Sequence, residues 1–209
     1  MIENRKQSQE ELVQLNASLE TKVVQRTAEL SETLQQVQEL KVKQDGDYFL
    51  TSLLLTPLQS NGNEEGKNVK SQFFIKQFKQ FTFRKWEAEL GGDICMTDTI
   101  KLNNRHYLFF VNADAMGKSI QGAGGALIFG TSVKAALIRT KLGKSPTIQP
   151  EIWLKNLYHD LDELFTTFDG TMLISAVMGL IDEERGTVYF LNSEHPWPVI
   201  YRDAKDYFI

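Results

Sequence analysis

Residues 5–43 contain neither proline nor glycine, and this run constrains the chain more than any other feature. Glu, Gln, Leu, Lys and Ala dominate it, and all are good helix formers. Apolar residues fall at Leu12, Leu15, Leu19, Val23, Leu30, Leu34 and Val37, in steps of three and four, with Arg26 filling one slot. Leu12, Val23 and Leu34 recur every eleven residues. That period corresponds to about 3.67 residues per turn, so associated helices lie nearly straight or coil weakly right-handed. A lone helix cannot bury so narrow a stripe. The spacing predicts a parallel homodimer through this helix. The plainer alternative is a helix packed back on its own globular domain.

The rest of the composition is that of a folded protein, with 42% hydrophobic and 24% charged residues. A length of 209 residues allows one domain plus an appendage. The net charge of −4 gives no concentrated basic face, so no nucleic-acid partner is expected. Cys95 is the one cysteine, which excludes a disulfide framework and a Cys-rich metal site. It fits a reducing compartment and a cytoplasmic location. No apolar run reaches the roughly eighteen residues that a membrane helix needs. The start, Met1-Ile-Glu-Asn-Arg-Lys6, does not read as a signal peptide.

Around Asp45-Gly46-Asp47 the pattern changes and a helix break is expected, because glycine costs a helix about 1 kcal/mol relative to alanine. A second, apolar helix follows over Tyr48–Leu55 and ends before Pro57. Gln59–Asn68 reads as a polar boundary loop. The expected domains are therefore a linker helix at 1–44, an entry helix and loop at 45–68, and a globular domain at 69–209. In that domain Ser71–Phe78, Phe81–Leu90 and Arg105–Ala113 read as strands, the last of them central. Ala123–Leu142 reads as a helix with Val133, Ala136, Leu137 and Ile138 as its core side. Glu151–Phe165 is a second helix after Pro150. Met172–Ile181 and Thr187–Leu191 form a hairpin over Asp182–Gly186, and Val199–Tyr201 starts another strand. Strands, then two helices, then strands favour an α+β fold, with a two-sheet β core and a pair of helices on one face.

Two places carry chemistry. Leu90-Gly91-Gly92-Asp93 ends a strand in a glycine pair and a carboxylate, and Asn112-Ala113-Asp114-Ala115 places another carboxylate at the end of a buried strand. Glycines let backbone approach an ion closely. Two strand-end carboxylates make an oxygen-rich site suited to Mg2+ or Mn2+ rather than zinc. The plainer reading makes Asp93 and Asp114 turn and cap residues.

Ordered blocks sharpen this choice. Phe49-Leu-Thr-Ser-Leu-Leu-Leu-Thr-Pro57 resembles the entry helix of the metal-dependent PPM-type serine/threonine phosphatases, in their bacterial SpoIIE/RsbU-like branch. Leu90-Gly-Gly-Asp93 resembles their Val-Gly-Gly-Asp block. Asn112-Ala-Asp-Ala-Met-Gly-Lys118 resembles their Ala-Asp-Val-Ser-Gly-Lys/His-Gly block. Gly179–Asp182 through Leu191-Asn-Ser-Glu-His-Pro-Trp-Pro198 resembles their hairpin and Asn-Ala-Gly-His-Pro turn. Leu15–Leu30 also resembles the linker helix that joins sensor modules to output domains in bacterial signalling proteins.

The resemblance implies that Asp93 and Asp114 ligate metal and that the backbone carbonyl of Ala115 completes the set. It implies two Mn2+ or Mg2+ ions in a complete domain and a metal-activated water, with no side-chain nucleophile. His195 falls on a turn residue and reads as structural, while His106 and His159 match nothing. Three departures stand out: Met96 replaces a frequent acidic residue, with Asp98 displaced by two, and Ser119 replaces the usual glycine. The third is that the later aspartate blocks have no counterpart before Ile209, so the resemblance implies a C-terminally incomplete domain. The implied function is hydrolysis of phosphoserine or phosphothreonine on a regulatory partner, by analogy an anti-anti-sigma-factor-like protein. An upstream sensor, itself free or in the membrane, would act through the dimeric helix. The competing class is a catalytically silent dimerisation and relay module. A diguanylate cyclase is disfavoured, because Ile94-Cys95 follows Gly-Gly-Asp where that family has Glu-Phe.

Overall fold

A computed structural model describes residues 2–62, 68–143 and 147–209. The chain divides into two compact units, Met1–Gly46 and Asp47–Ile209. Helix α1 spans Ile2–Leu55, so the break expected at Asp45-Gly46-Asp47 does not occur. One glycine costs about 1 kcal/mol. The turns after it are held by burial of Tyr48, Ser52 and Leu55, which share one helix face. In the first unit the apolar stripe lies open: Leu12 is 57% exposed, Val23 62% and Leu34 54%. Among the described residues no helix is long and apolar enough to cross a membrane.

The second unit is α+β, as the grouping of elements predicts. Its main sheet has five strands in the order β1-β4-β5-β6-β7. They are β1 (Asn61–Gly62), β4 (Asp93–Leu102), β5 (Arg105–Ala115), β6 (Ile174–Asp182) and β7 (Val188–Ser193). The last four pair antiparallel, and β1 adds a short parallel edge on β4. β5 is the middle strand, as its continuous apolar run predicts. Among the described residues two hairpins complete the β structure: β2 (Lys79–Phe83) with β3 (Trp86–Leu90), and β8 (Val199–Arg202) with β9 (Lys205–Phe208).

Several expected boundaries move. Ser71–Phe78 joins no ladder, and Phe81–Leu90 is the larger part of a hairpin that turns at Arg84, whose φ is +56°. Part of the polar loop expected at 59–68 lies outside the described residues.

Helices α2 (Ile120–Lys141) and α3 (Pro150–Thr166) supply the cover. Helix α2 packs on β4 and β5. The core between them holds Ile94, Met96, Phe109, Val111, Val133 and Leu137, all buried. Ile138, expected on the core side, is 49% exposed. Trp153 of α3 stands edge-on to Phe109 with centroids 5.7 Å apart, and its indole N–H donates to Thr140 Oγ1 at 2.8 Å. This gives the buried ring's polar atom the partner it requires.

Candidate metal and phosphate site

Successive strand side chains alternate between faces, so the inward set Ile94, Met96, Ile100 and Leu102 sends Asp93 and Cys95 to the other face of β4. The β4–β5 register places Asp93 directly opposite Asp114 and Cys95 opposite Asn112. The two aspartates expected to share a site are therefore cross-strand neighbours. Like charges directly opposite on a sheet repel, and the effect is visible at Asp93. Burial raises its pKa above the ordinary carboxylate value, Asp114 raises it further, and His195 pulls it down. Burial also pushes up the Cys95 thiol, with a further push from Asp93, and its Sγ–H donates to Asn112 Oδ1 at 3.2 Å.

Ala115, the third expected ligand, follows Asp114 at the strand end. Its amide donates to the Gly92 carbonyl at 3.1 Å, and its own carbonyl oxygen lies against Gly92, where any Cβ would collide with it. A Cβ at Gly122, in the first turn of α2, would meet the Gly92 backbone. Glycine at these two positions is what lets the α2 start and the Ala115 carbonyl close on the Gly-Gly-Asp turn.

The Asp93 backbone is held from outside the sheet. Gln59 Nε2 and Gln77 Nε2 both donate to its carbonyl, at 3.1 and 2.7 Å. Neither glutamine stands out in the sequence. Gln59 follows the helix-ending Pro57, and Gln77 sits in the segment that joins no ladder, so only three-dimensional proximity reveals them.

His195, expected to be structural, comes to the same place. The β5–β6 register sets Ser175 opposite Asp114, and Ser175 Oγ lies 3.0 Å from His195 Nδ1. Burial lowers the His195 pKa below 6.5, while Asp114 and then Asp93 act to raise it. His106 and His159 are exposed, as expected.

Asp98, displaced by two from the family's acidic position, is not a site residue. It is buried on the helix side and pairs with Lys141 and, at 3.4 Å, with Lys134, both of α2. Asp182 is also structural: its Oδ1 accepts from the amides of Glu184 and Arg185 at 3.0 and 3.1 Å, which caps the β6–β7 turn. Ser119 precedes α2 with φ +53° and ψ −115°. This is a conformation glycine adopts freely and other residues adopt at a cost.

Among the described residues no group of three or more His, Cys, Asp or Glu side chains is placed to hold an ion. The available donors are the two facing carboxylates and the Ala115 carbonyl. That set fits a hard cation that keeps several waters, and it does not fit zinc.

No curated protein matches the chain. A family model described as Stage II sporulation protein E (SpoIIE) matches residues 104–208, half of the chain. The matched span includes Asp114, Ala115, Ser175 and His195; Asp93 lies just before it.

Proposed function

Because the chain belongs to the stage II sporulation protein E (SpoIIE) family of PPM-type phosphatases, we propose that it hydrolyses phosphoserine or phosphothreonine on a partner protein with Mg2+ or Mn2+. The observation that carries this reading is the Asp93–Asp114 pair, set face to face across β4 and β5 with the Ala115 carbonyl beside it. Asp93, Asp114 and that carbonyl would hold the cation. When bound, such an ion neutralises phosphoryl charge and lowers the pKa of water enough to make a nucleophile.

The chain's own contribution is positioning. Strand pairing fixes the carboxylates at one register, Gly92 leaves room for the carbonyl, and Gln59 and Gln77 tie down the Asp93 backbone. A ligand set fixed before binding needs less reorganisation when charge develops. The partner, by family analogy alone, is an anti-anti-sigma-factor-like phosphoprotein in the cytoplasm. An upstream sensor would act through a dimer of the N-terminal helix, whose exposed leucine stripe supports that part of the reading.

The deciding measurement is Mn2+-dependent phosphate release from a phosphoserine protein by the 209-residue chain. Asp93→Asn and Asp114→Asn are each expected to lower it at least about a hundredfold. Full activity in both variants would overturn the assignment. A folded chain that binds Mn2+ and releases no phosphate would support a silent relay module instead.

A further inference from the structure

The carboxylate pair belongs to a longer row. Asp93, Asp114 and Ser175 occupy one register across β4, β5 and β6, so their side chains leave the same face of the sheet. The row ends on His195. Its Nδ1 lies 3.0 Å from Ser175 Oγ, and its backbone amide donates to Asn192 Oδ1 at 2.9 Å. The residue before it, Glu194, is in the left-handed region with φ +51°, so the turn that carries the ring is tightly set. The imidazole is thus held at one nitrogen and at its backbone. It stays partly open to solvent, and Nε2 has no hydrogen-bond partner among the described residues.

A phosphomonoester at this site presents several anionic oxygens beside two carboxylates. A cation offsets part of that repulsion, and fixed N–H donors are the other means of holding such a group. When the Ser175 hydroxyl donates to Nδ1, the proton of a neutral imidazole resides on Nε2.

We propose that His195 touches the substrate: its Nε2–H donates to a phosphoryl oxygen of a phosphomonoester bound at the Asp93–Asp114 pair, and Ser175 is the positioning residue that sets the ring. This rests on the phosphatase reading of the site. It goes beyond that reading by adding a donor from the β7–β8 turn to ligands drawn from β4 and β5.

Side chains that mimic one imidazole nitrogen at a time test the idea. Glutamine places an N–H near Nε2, and asparagine places one near Nδ1. Inorganic phosphate is titrated calorimetrically into the Mg2+-loaded full chain, and Mn2+ is titrated separately. His195→Ala and His195→Asn are expected to weaken phosphate binding about tenfold or more, the scale of one hydrogen bond to a charged group. His195→Gln is expected to stay within about threefold of the parent, since it keeps that bond. All three are expected to bind Mn2+ as the parent does. The opposite order, with Asn retaining phosphate and Gln losing it, would mean that the ring only ties the turn to Ser175, and the proposal falls. Equal phosphate binding in all variants also overturns it, and so does weakened Mn2+ binding in His195→Ala, which would make the ring a metal ligand. Asp114→Asn keeps the two failures apart: if it binds Mn2+ like the parent, the metal-site reading itself is wrong.

Discussion

Asp93 carries an electrostatic cost in the folded chain. Its carboxyl is partly buried opposite another carboxylate, and its pKa is raised. The folded chain therefore keeps this proton to a higher pH than the unfolded chain does. Folded-state stability falls as pH rises from the ordinary carboxylate range through the raised value, and the loss persists at neutral pH. Asp93→Asn removes the charge and keeps the shape. In EDTA at neutral pH it is expected to raise the melting temperature of the chain. If Asp93 is a metal ligand, Mn2+ is expected to raise the melting temperature of the parent and to leave that of the variant unchanged. A melting temperature lowered by the substitution would show that the carboxylate is held by favourable contacts instead. Ser119 is a second costly residue, with φ +53° and ψ −115° at the entrance to α2. Ser119→Gly is expected to stabilise the chain by about 1 kcal/mol in urea unfolding. No gain would mean that the serine makes compensating contacts. In both cases the residue type was readable from the sequence, where the one stands in a Gly-Gly-Asp turn and the other replaces a family glycine. The strain was not readable, because it depends on a register and a backbone angle.

At the scale of elements, periodicity located what is regular and failed where a neighbour decides. Helices α2 and α3 and the β6–β7 hairpin fall close to their sequence boundaries, because their apolar spacing and turn residues act locally. Strand β4 was not anticipated. Its inward positions Ile94, Met96, Ile100 and Leu102 alternate as a strand should, but Asp98 occupies the same face and breaks the pattern. What permits a carboxylate there is the pair of lysines from α2, more than thirty residues away. This arrangement predicts an asymmetry. Lys134 and Lys141 are 33% and 43% exposed, so either can turn to water when its partner is lost, whereas Asp98 is buried and cannot. Removing both cations in Lys134→Met/Lys141→Met is expected to cost about 3 kcal/mol in chemical denaturation. Asp98→Asn should cost clearly less. Equal losses would mean that the carboxylate reaches solvent. The helix break expected at Gly46 failed for a related reason. Propensity counts the glycine, but burial of Tyr48, Ser52 and Leu55 fixes the turns that follow.

At the scale of the whole molecule, the first unit carries an apolar stripe that nothing in its own helix can bury. Leu12, Leu15, Leu19, Val23, Leu30, Leu34 and Val37 are each about half exposed or more. Around them the helix surface is satisfied locally: Gln25 and Arg26 bond to Glu29, and Gln35 bonds to Glu39. Polar residues with local partners do not call for a second chain, whereas the exposed row of leucines and valines is the feature on which the dimer proposal rests. Each leucine buried between helices contributes roughly 2 kcal/mol, and about 1.4 kcal/mol changes an association constant tenfold. Charging two of them removes that burial and adds two charges that must be desolvated on each chain. Leu19→Glu/Leu30→Glu is therefore expected to raise the dimer dissociation constant at least a thousandfold. The full chain should sediment as a dimer at low micromolar concentration and the variant as a monomer. Glu32→Gln, on the opposite face by helical spacing, changes charge without touching the stripe and should remain dimeric. A parent chain that sediments as a monomer at every concentration tested would remove the dimer from the functional reading. The Asp93–Asp114 pair lies within the second unit and would stand unchanged by that result.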